Sequence, residues 1–172
     1  HPRRTSVSGE AREACGVFGV FGHPDAVEKT YLGLYALQHR GEESCGIAST
    51  DGRLFNHRRA MGLACEALTA DVLQELRNPI AIGHVRYSTT GGSRIENAQP
   101  FVATYARGPI AVAHNGNLVN TAQLRSMYER HGGVFQTTLD TEVIVHLLAQ
   151  PSHWQKHEGF LHCLNHLRGS FS

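Results

Sequence analysis

Cys15-Gly16-Val17-Phe18-Gly19-Val20-Phe21-Gly22 is where this chain turns apolar. The fourteen residues before it, His1 to Ala14, are polar, rich in Arg and Glu, and almost free of large apolar side chains. The run itself reads as a strand, and its glycines at 16, 19 and 22 permit close backbone approach. A cysteine at the head of such a strand has two readings. It can be a small buried hydrophobe. It can also be the first residue of a mature chain once the preceding segment is removed, and then its own α-amine lies beside its thiol. A free α-amine titrates near about 7.7–8.0, against roughly 10.4 for lysine, so it can serve as a general base at neutral pH. The glycine spacing is not G-x-G-x-x-G, which argues against a dinucleotide site.

Working outward, Asp25 followed by Glu28 is a capping-box-like helix start. Val27, Tyr31, Leu34, Tyr35 and Gln38 follow at helical spacing. Cys45 to Thr50 reads as a strand, Asp51-Gly52 as a hairpin turn, and Arg53 to Arg58 as the partner strand. A helix is predicted over 64–76, strands over 80–85, 101–105 and 110–114, and helices over 120–131, 140–149 and about 156–167. Strict βαβ alternation is absent, which argues against a doubly wound parallel sheet. Two packed antiparallel sheets with helices on both outer sides fit this order.

A chain of 172 residues suits one domain that buries roughly 70% of its unfolded surface. A formal net charge of +1 gives no electrostatic case for nucleic acid or an anionic membrane surface. No apolar run approaches the ~20 residues of a membrane span, and the leader lacks the apolar core of a secretory signal. The four cysteines, at 15, 45, 65 and 163, show no close pairing motif and are expected to be reduced thiols in a cytoplasmic protein. The chain opens on His and closes on Gly-Ser-Phe-Ser, as a piece of a larger gene product would.

Four polar segments break the apolar pattern. Leu37-Gln38-His39-Arg40-Gly41-Glu42-Glu43-Ser44 reads by itself as a helix end with a glycine cap. Gly83-His84-Val85-Arg86-Tyr87-Ser88-Thr89-Thr90-Gly91-Gly92 carries an arginine out of a strand, where it is either a surface residue or a two-pronged carboxylate ligand. In His114-Asn115-Gly116-Asn117-Leu118, Asn-Gly is a turn signal, or else an oxyanion hole made by the Asn115 amide and the Gly116 N–H. Asp140 in Thr137-Thr138-Leu139-Asp140-Thr141-Glu142 is either a helix N-cap or a carboxylate aimed at a substrate ammonium. His153, His157, His162, Cys163 and His166 form a fifth cluster. Its i,i+4 histidine pairs suit a metal, but they fall on more than one helical face, which favours solvated or half-buried histidines.

Taken in order, Cys-Gly-Val-Phe-Gly, Leu-Gln-His-Arg-Gly-Glu-Glu-Ser, Gly-His-Val-Arg-Tyr-Ser-Thr, Asn-Ala-Gln-Pro-Phe, His-Asn-Gly-Asn-Leu and Thr-Leu-Asp-Thr-Glu resemble one family. It is the glutaminase domain of the glutamine phosphoribosylpyrophosphate amidotransferases, class II amidotransferases of the N-terminal-nucleophile hydrolase superfamily. The resemblance runs from Cys15 to the end of the chain. It implies an α+β fold, a four-layer α/β/β/α sandwich of two antiparallel sheets, cut short at its C-terminus. It implies a propeptide over 1–14, removed autocatalytically, and a glutaminase domain over 15–172. Cys15 would be the nucleophile and Asn115 with Gly116 the oxyanion hole. Arg86 would bind the glutamine α-carboxylate and Asp140 its α-ammonium, with Arg40, Gly41 and Thr89 lining or supporting the pocket.

The same resemblance implies glutamine as substrate and ammonia passed to phosphoribosylpyrophosphate by a phosphoribosyltransferase domain on the same chain. The full-length protein would be a homo-oligomer. No cofactor is expected in this segment; magnesium, and the iron–sulfur cluster that some relatives carry, would belong to the C-terminal part. Two other readings stay open at this point: an unprocessed or truncated fragment without turnover, and the glutaminase domain of another class II amidotransferase.

Overall fold

A computed structural model of the chain describes residues 15–38, 43–87, 94–150 and 159–172. The leader over 1–14, with Arg40, Gly41, Thr89, His153 and His157, therefore lies outside the described residues. The elements run β1 (Gly16–Phe21), α1 (Ala26–Leu37), β2 (Ser44–Thr50), β3 (Phe55–Met61), α2 (Ala64–Ala67), α3 (Ala70–Glu75) and β4 (Ile80–Arg86). A 3₁₀ turn over Ile95–Asn97 leads to β5 (Phe101–Tyr105), β6 (Gly108–Val112) and β7 (Gly116–Leu118). The chain then forms α4 (Thr121–Arg130), α5 (Asp140–Ala149), α6 (Gly159–Leu164) and β8 (Gly169–Phe171).

The expected α+β architecture with antiparallel sheets is present. One sheet has four strands in the order β1-β4-β2-β3, every pair antiparallel. β2, paired on both sides, is buried along nearly its whole length, which explains its run of small and apolar residues. Side chains alternate along β4. Ala81, Gly83 and Val85 face α1, while Ile82, His84 and Arg86 face the second layer. α1 lays Ala26, Val27, Thr30 and Leu34 on the first face. It approaches so closely that a Cβ on Gly83 would stand 2.7 Å from Leu34 Cδ1 and 2.8 Å from Thr30 Cγ2. A side chain there would have to push Leu34 and Thr30 aside.

The second β layer is not one sheet among the described residues but two separate two-stranded ladders, β5–β6 and β7–β8. Arg59 Nη1 donates to the Ala98 carbonyl at 3.1 Å, which ties β3 to the segment entering β5. Outside these ladders, Leu118, Leu124, Tyr128, Val143, Ile144, Leu147, Cys163 and Leu167 form a second core under α4, α5 and α6. The first core lies between α1–α3 and the four-stranded sheet.

Several expected boundaries change. The helix expected over 64–76 is broken at Leu68 and Thr69, whose backbones leave the helical region. Ala64, Leu68, Val72 and Leu76 all still reach the first core, so the apolar period survives the break. The hairpin closes on Thr50 and Phe55, not on a two-residue turn. Asp51 holds that longer loop by accepting from the Arg53 and Leu54 N–H groups at 2.8 and 2.7 Å. Asp25 does not form a capping box: its side chain makes no cap bond and lies 3.8 Å from Arg77 Nη2. Its N–H is taken instead by His23 Nδ1 at 3.0 Å. No helix among the described residues is long and apolar enough to cross a membrane.

Candidate active site

Strand register builds the first half of the site. Gly16 stands opposite Val85, so Cys15, one residue earlier, falls beside Arg86 and Tyr87 at the same end of the sheet. The Cys15 thiol lies 3.8 Å from the Tyr87 carbonyl and is half-buried. The other thiols are elsewhere. Cys45 and Cys163 are buried, and burial pushes the Cys45 thiol up to about 11, helped by Cys65, and raises Cys163 as well. Cys65 is exposed, with Gln38 Nε2 3.7 Å from its sulfur.

Arg86 is aimed and largely enclosed. Its Nη1 donates to the Asn97 carbonyl at 3.0 Å, and its Nε stands 3.8 Å from Glu43 Oε1. Glu43 is itself fixed, since its N–H donates to the Arg86 carbonyl at 3.0 Å. A guanidinium held on one side in this way keeps its other donors in a defined direction.

The second half of the site comes from β7 and the start of α5. Asn115 and Ser172 exchange both backbone hydrogen bonds, at 3.1 and 2.8 Å. Gly116 and Phe171 are therefore the next, non-bonded pair of the ladder, and the Gly116 N–H turns away from β8. Gly116 sits at φ +150°, and a Cβ there would run into the Ser170 carbonyl and stand 2.7 Å from Phe171 Cα. No other residue fits this crossing. The Asn115 side chain reaches back and donates through Nδ2 to the Cys15 carbonyl at 3.0 Å.

Asp140 is the first residue of α5, not its N-cap, a place taken by Leu139. Its Oδ2 accepts from the Leu118 N–H at 3.3 Å, and its Oδ1 lies 3.3 Å from His114 Nδ1. Burial works to raise its pKa, but His114 and the Leu118 and Thr141 N–H groups outweigh it, and the carboxyl is held below its ordinary value. The loop before α5 is fastened by Glu142, nearly fully buried, which accepts from the N–H groups of Gln136 and Thr137 at 2.7 and 2.8 Å. Arg125 Nη2 adds a bond to the Thr137 carbonyl at 2.8 Å.

Cys15, Arg86, Asn115, Gly116 and Asp140 line one cavity of about 560 Å³. Five residues spread over 125 positions of sequence thus meet around one space that carries a thiol, a cation, an anion and an amide donor. The stretch that supplies most of its wall, residues 84–172, matches the family model described as a glutamine amidotransferase domain.

The chain belongs to the glutamine amidotransferase domain family.

It is similar to the amidophosphoribosyltransferase of Bacillus subtilis, 43% identical over 161 residues that cover 93% of this chain and 34% of that one. It is similar also to the amidophosphoribosyltransferase of Rhizobium etli, 46% identical over 161 residues, covering 93% of this chain and 32% of the relative. Among solved structures, that of the allosteric regulatory enzyme of purine biosynthesis superposes with a TM-score of 0.85 at 42% identity. The superposition covers 91% of this chain and 34% of that one. The chain spans about a third of the length of the curated relatives it matches.

The cavity of this glutamine amidotransferase domain also has walls that the motifs did not single out: Gln99, His114, Asn117, Thr121, Thr138 and Ser170. Gln99, His114, Asn117 and Thr138 belonged to quoted motifs, yet nothing in periodicity marks them as cavity residues. Of the histidine cluster, His162 and His166 stack edge-on at 4.8 Å, and no group of three or more metal-binding side chains converges among the described residues.

Proposed function

We propose that this glutamine amidotransferase domain hydrolyses glutamine through Cys15 and serves as the glutaminase part of an amidophosphoribosyltransferase. On this reading the ammonia goes to phosphoribosylpyrophosphate on a phosphoribosyltransferase domain of the same chain, in a cytoplasmic, homo-oligomeric enzyme of purine synthesis. One observation carries the reading: the cavity that holds the Cys15 thiol holds Arg86 and Asp140 as well. Glutamine is a zwitterion with a neutral amide tail. A cation and an anion in one cavity fit its head, and the thiol and amide donors fit its tail.

The chemistry follows from those positions. Removal of residues 1–14 frees the Cys15 α-amine, which takes the thiol proton. The sulfur then bonds to the glutamine amide carbon, and the carbonyl electrons move onto oxygen. Asn115 Nδ2 has two N–H bonds. One is held by the Cys15 carbonyl, which leaves the other oriented for the oxyanion beside the Gly116 N–H. Losing one such donor typically costs about 10²–10³ in rate. The carbon–nitrogen bond breaks as the amine's proton passes to the leaving nitrogen. Ammonia departs, and water cleaves the thioester to glutamate.

Magnesium and any iron–sulfur cluster fall, on this reading, to the rest of the enzyme. The described thiols are not gathered as cluster ligands, since Cys45 and Cys163 sit in different cores and Cys65 lies on the surface. The decisive experiment combines intact mass with labelling by a diazoketone analogue of glutamine. The expected result is a chain that begins at Cys15, labelled on Cys15, with hydrolysis lost in Cys15→Ser. Full glutaminase activity in a protein that retains its leader, or a label on Cys45, Cys65 or Cys163, overturns the proposal.

A further inference from the structure

We propose that His114 is a positioning residue of this site: its ring Nδ1–H holds Asp140 Oδ1 so that the carboxylate faces the cavity, and the Gln99 side chain holds His114. The inference rests on the reading above, in which Asp140 receives the glutamine ammonium.

His114 is buried, only 4% exposed, and lies two residues beyond the end of β6. There the β5–β6 ladder has ended, and its backbone groups need other partners. Gln99 supplies both. Its Oε1 accepts from the His114 N–H at 2.8 Å, and its Nε2 donates to the His114 carbonyl at 3.2 Å. Gln99 is itself buried. A side-chain amide that bonds both backbone groups of one residue fixes that residue in place, as a neighbouring strand would.

The ring then has one task. An ionised carboxylate only accepts hydrogen bonds. The 3.3 Å approach of Nδ1 to Asp140 Oδ1 therefore puts a proton on Nδ1. The opposite nitrogen, Nε2, is buried and meets no hydrogen-bond partner among the described residues. An atom without accessible surface does not touch a ligand in the cavity, so Nε2 does not bind glutamine, and the ring's one polar contact, through Nδ1, is to Asp140. With Oδ2 held by the Leu118 N–H and Oδ1 by His114, the carboxylate is clamped at both oxygens. Its remaining lone pairs are directed before the ammonium arrives. Ordering the group in advance lowers what substrate binding must supply.

The test uses the full chain and four variants, with glutamine KM and kcat compared to the inhibition constant of 4-carbamoylbutanoate, which is glutamine without its α-amine. Asp140→Asn is expected to raise the glutamine KM and leave the inhibition constant of the amine-free compound unchanged. His114→Leu, which lacks the donor, is expected to do the same, with a rise in glutamine KM of about tenfold and little change in kcat. Asn places its Nδ2 the same number of bonds from the backbone as His Nδ1. His114→Asn should therefore return KM to within about threefold of the parent, whereas His114→Gln, whose amide sits one bond further out, should not. If His114→Leu does not fold, the contrast between Asn and Gln still decides. An unchanged glutamine KM in Asp140→Asn overturns the ammonium reading and this inference together. A raised KM in Asp140→Asn with His114→Leu unchanged, with both ligands weakened equally, or with no difference between Asn and Gln, overturns this inference alone.

Discussion

His84 should make this fold sensitive to mild acid, and the size of the effect follows from its surroundings. It lies on the central strand β4, fully buried, on the face it shares with Arg86. Burial depresses its pKa from 6.5 to about 4; a contact to the His114 backbone opposes this, while the charges of Arg86 and His114 add to it. In the unfolded chain the imidazole takes up a proton as pH falls through 6.5; the folded one refuses it until about pH 4. The unfolded state thus binds more protons in that window, and stability falls with falling pH, levelling off below about pH 4. At about 1.4 kcal/mol per pKa unit, His84 alone should cost about 2–3 kcal/mol between about pH 7 and about pH 4.5. That is a large share of a typical domain stability of ~5–15 kcal/mol. The assay is urea unfolding of the parent and of His84→Leu at both pH values. The parent should lose about 2–3 kcal/mol more than the variant. Equal losses in the two proteins would show that His84 already carries a proton in the fold, or finds water there, and would refute the burial argument.

Two further outcomes can be checked with single substitutions. Arg86→Lys keeps the charge but has one nitrogen where Arg86 divides its donors between the Asn97 carbonyl, Glu43 and the cavity. The glutamine KM should rise about tenfold or more, and unchanged glutamine saturation would return Arg86 to an ordinary structural role. Gly83→Ala would press a methyl group into Leu34 and Thr30 of α1. It should cost about 1–3 kcal/mol, read as a lower thermal midpoint, and an unchanged midpoint would mean that α1 moves away freely.

What was legible in the sequence was whatever repeats locally or carries chemistry in a short word. α1 shows its buried stripe at Val27 and Leu34, and the head of β1 shows where the cavity begins. Arg86, Asn115, Gly116 and Asp140 each stood in a motif, and all four line the cavity with Cys15. Their meeting was not visible in spacing, because it depends on register, such as Gly16 opposite Val85, and on pairing between distant segments. β7 illustrates the limit. Three residues at Gly116–Leu118 have no period to read, and Asn-Gly there looked like a turn. Their partner Gly169–Phe171 lies about fifty positions on. The supporting shell escaped for a related reason. Glu142 looks like a helix-start acid but is buried, and the role of Gln99 appears only when the ladder that fails to reach His114 is known. Asp25 failed in the opposite sense, because a local signal for a cap lost to His23 and Arg77.

The β7–β8 ladder also sets a clock. Asn115 is held by Ser172, so the donors proposed for the oxyanion cannot take their final positions until residue 172 has been made and has docked. At roughly 5–20 residues per second, the ribosome delivers that segment roughly ten to thirty seconds after Cys15. Once Arg86 has been made, the strands of the first sheet are all available, while Asn115 and Gly116 still await their partner strand. On the proposed reading the nascent chain carries the Cys15 thiol before its oxyanion donors are set, and docking of β8 sets them.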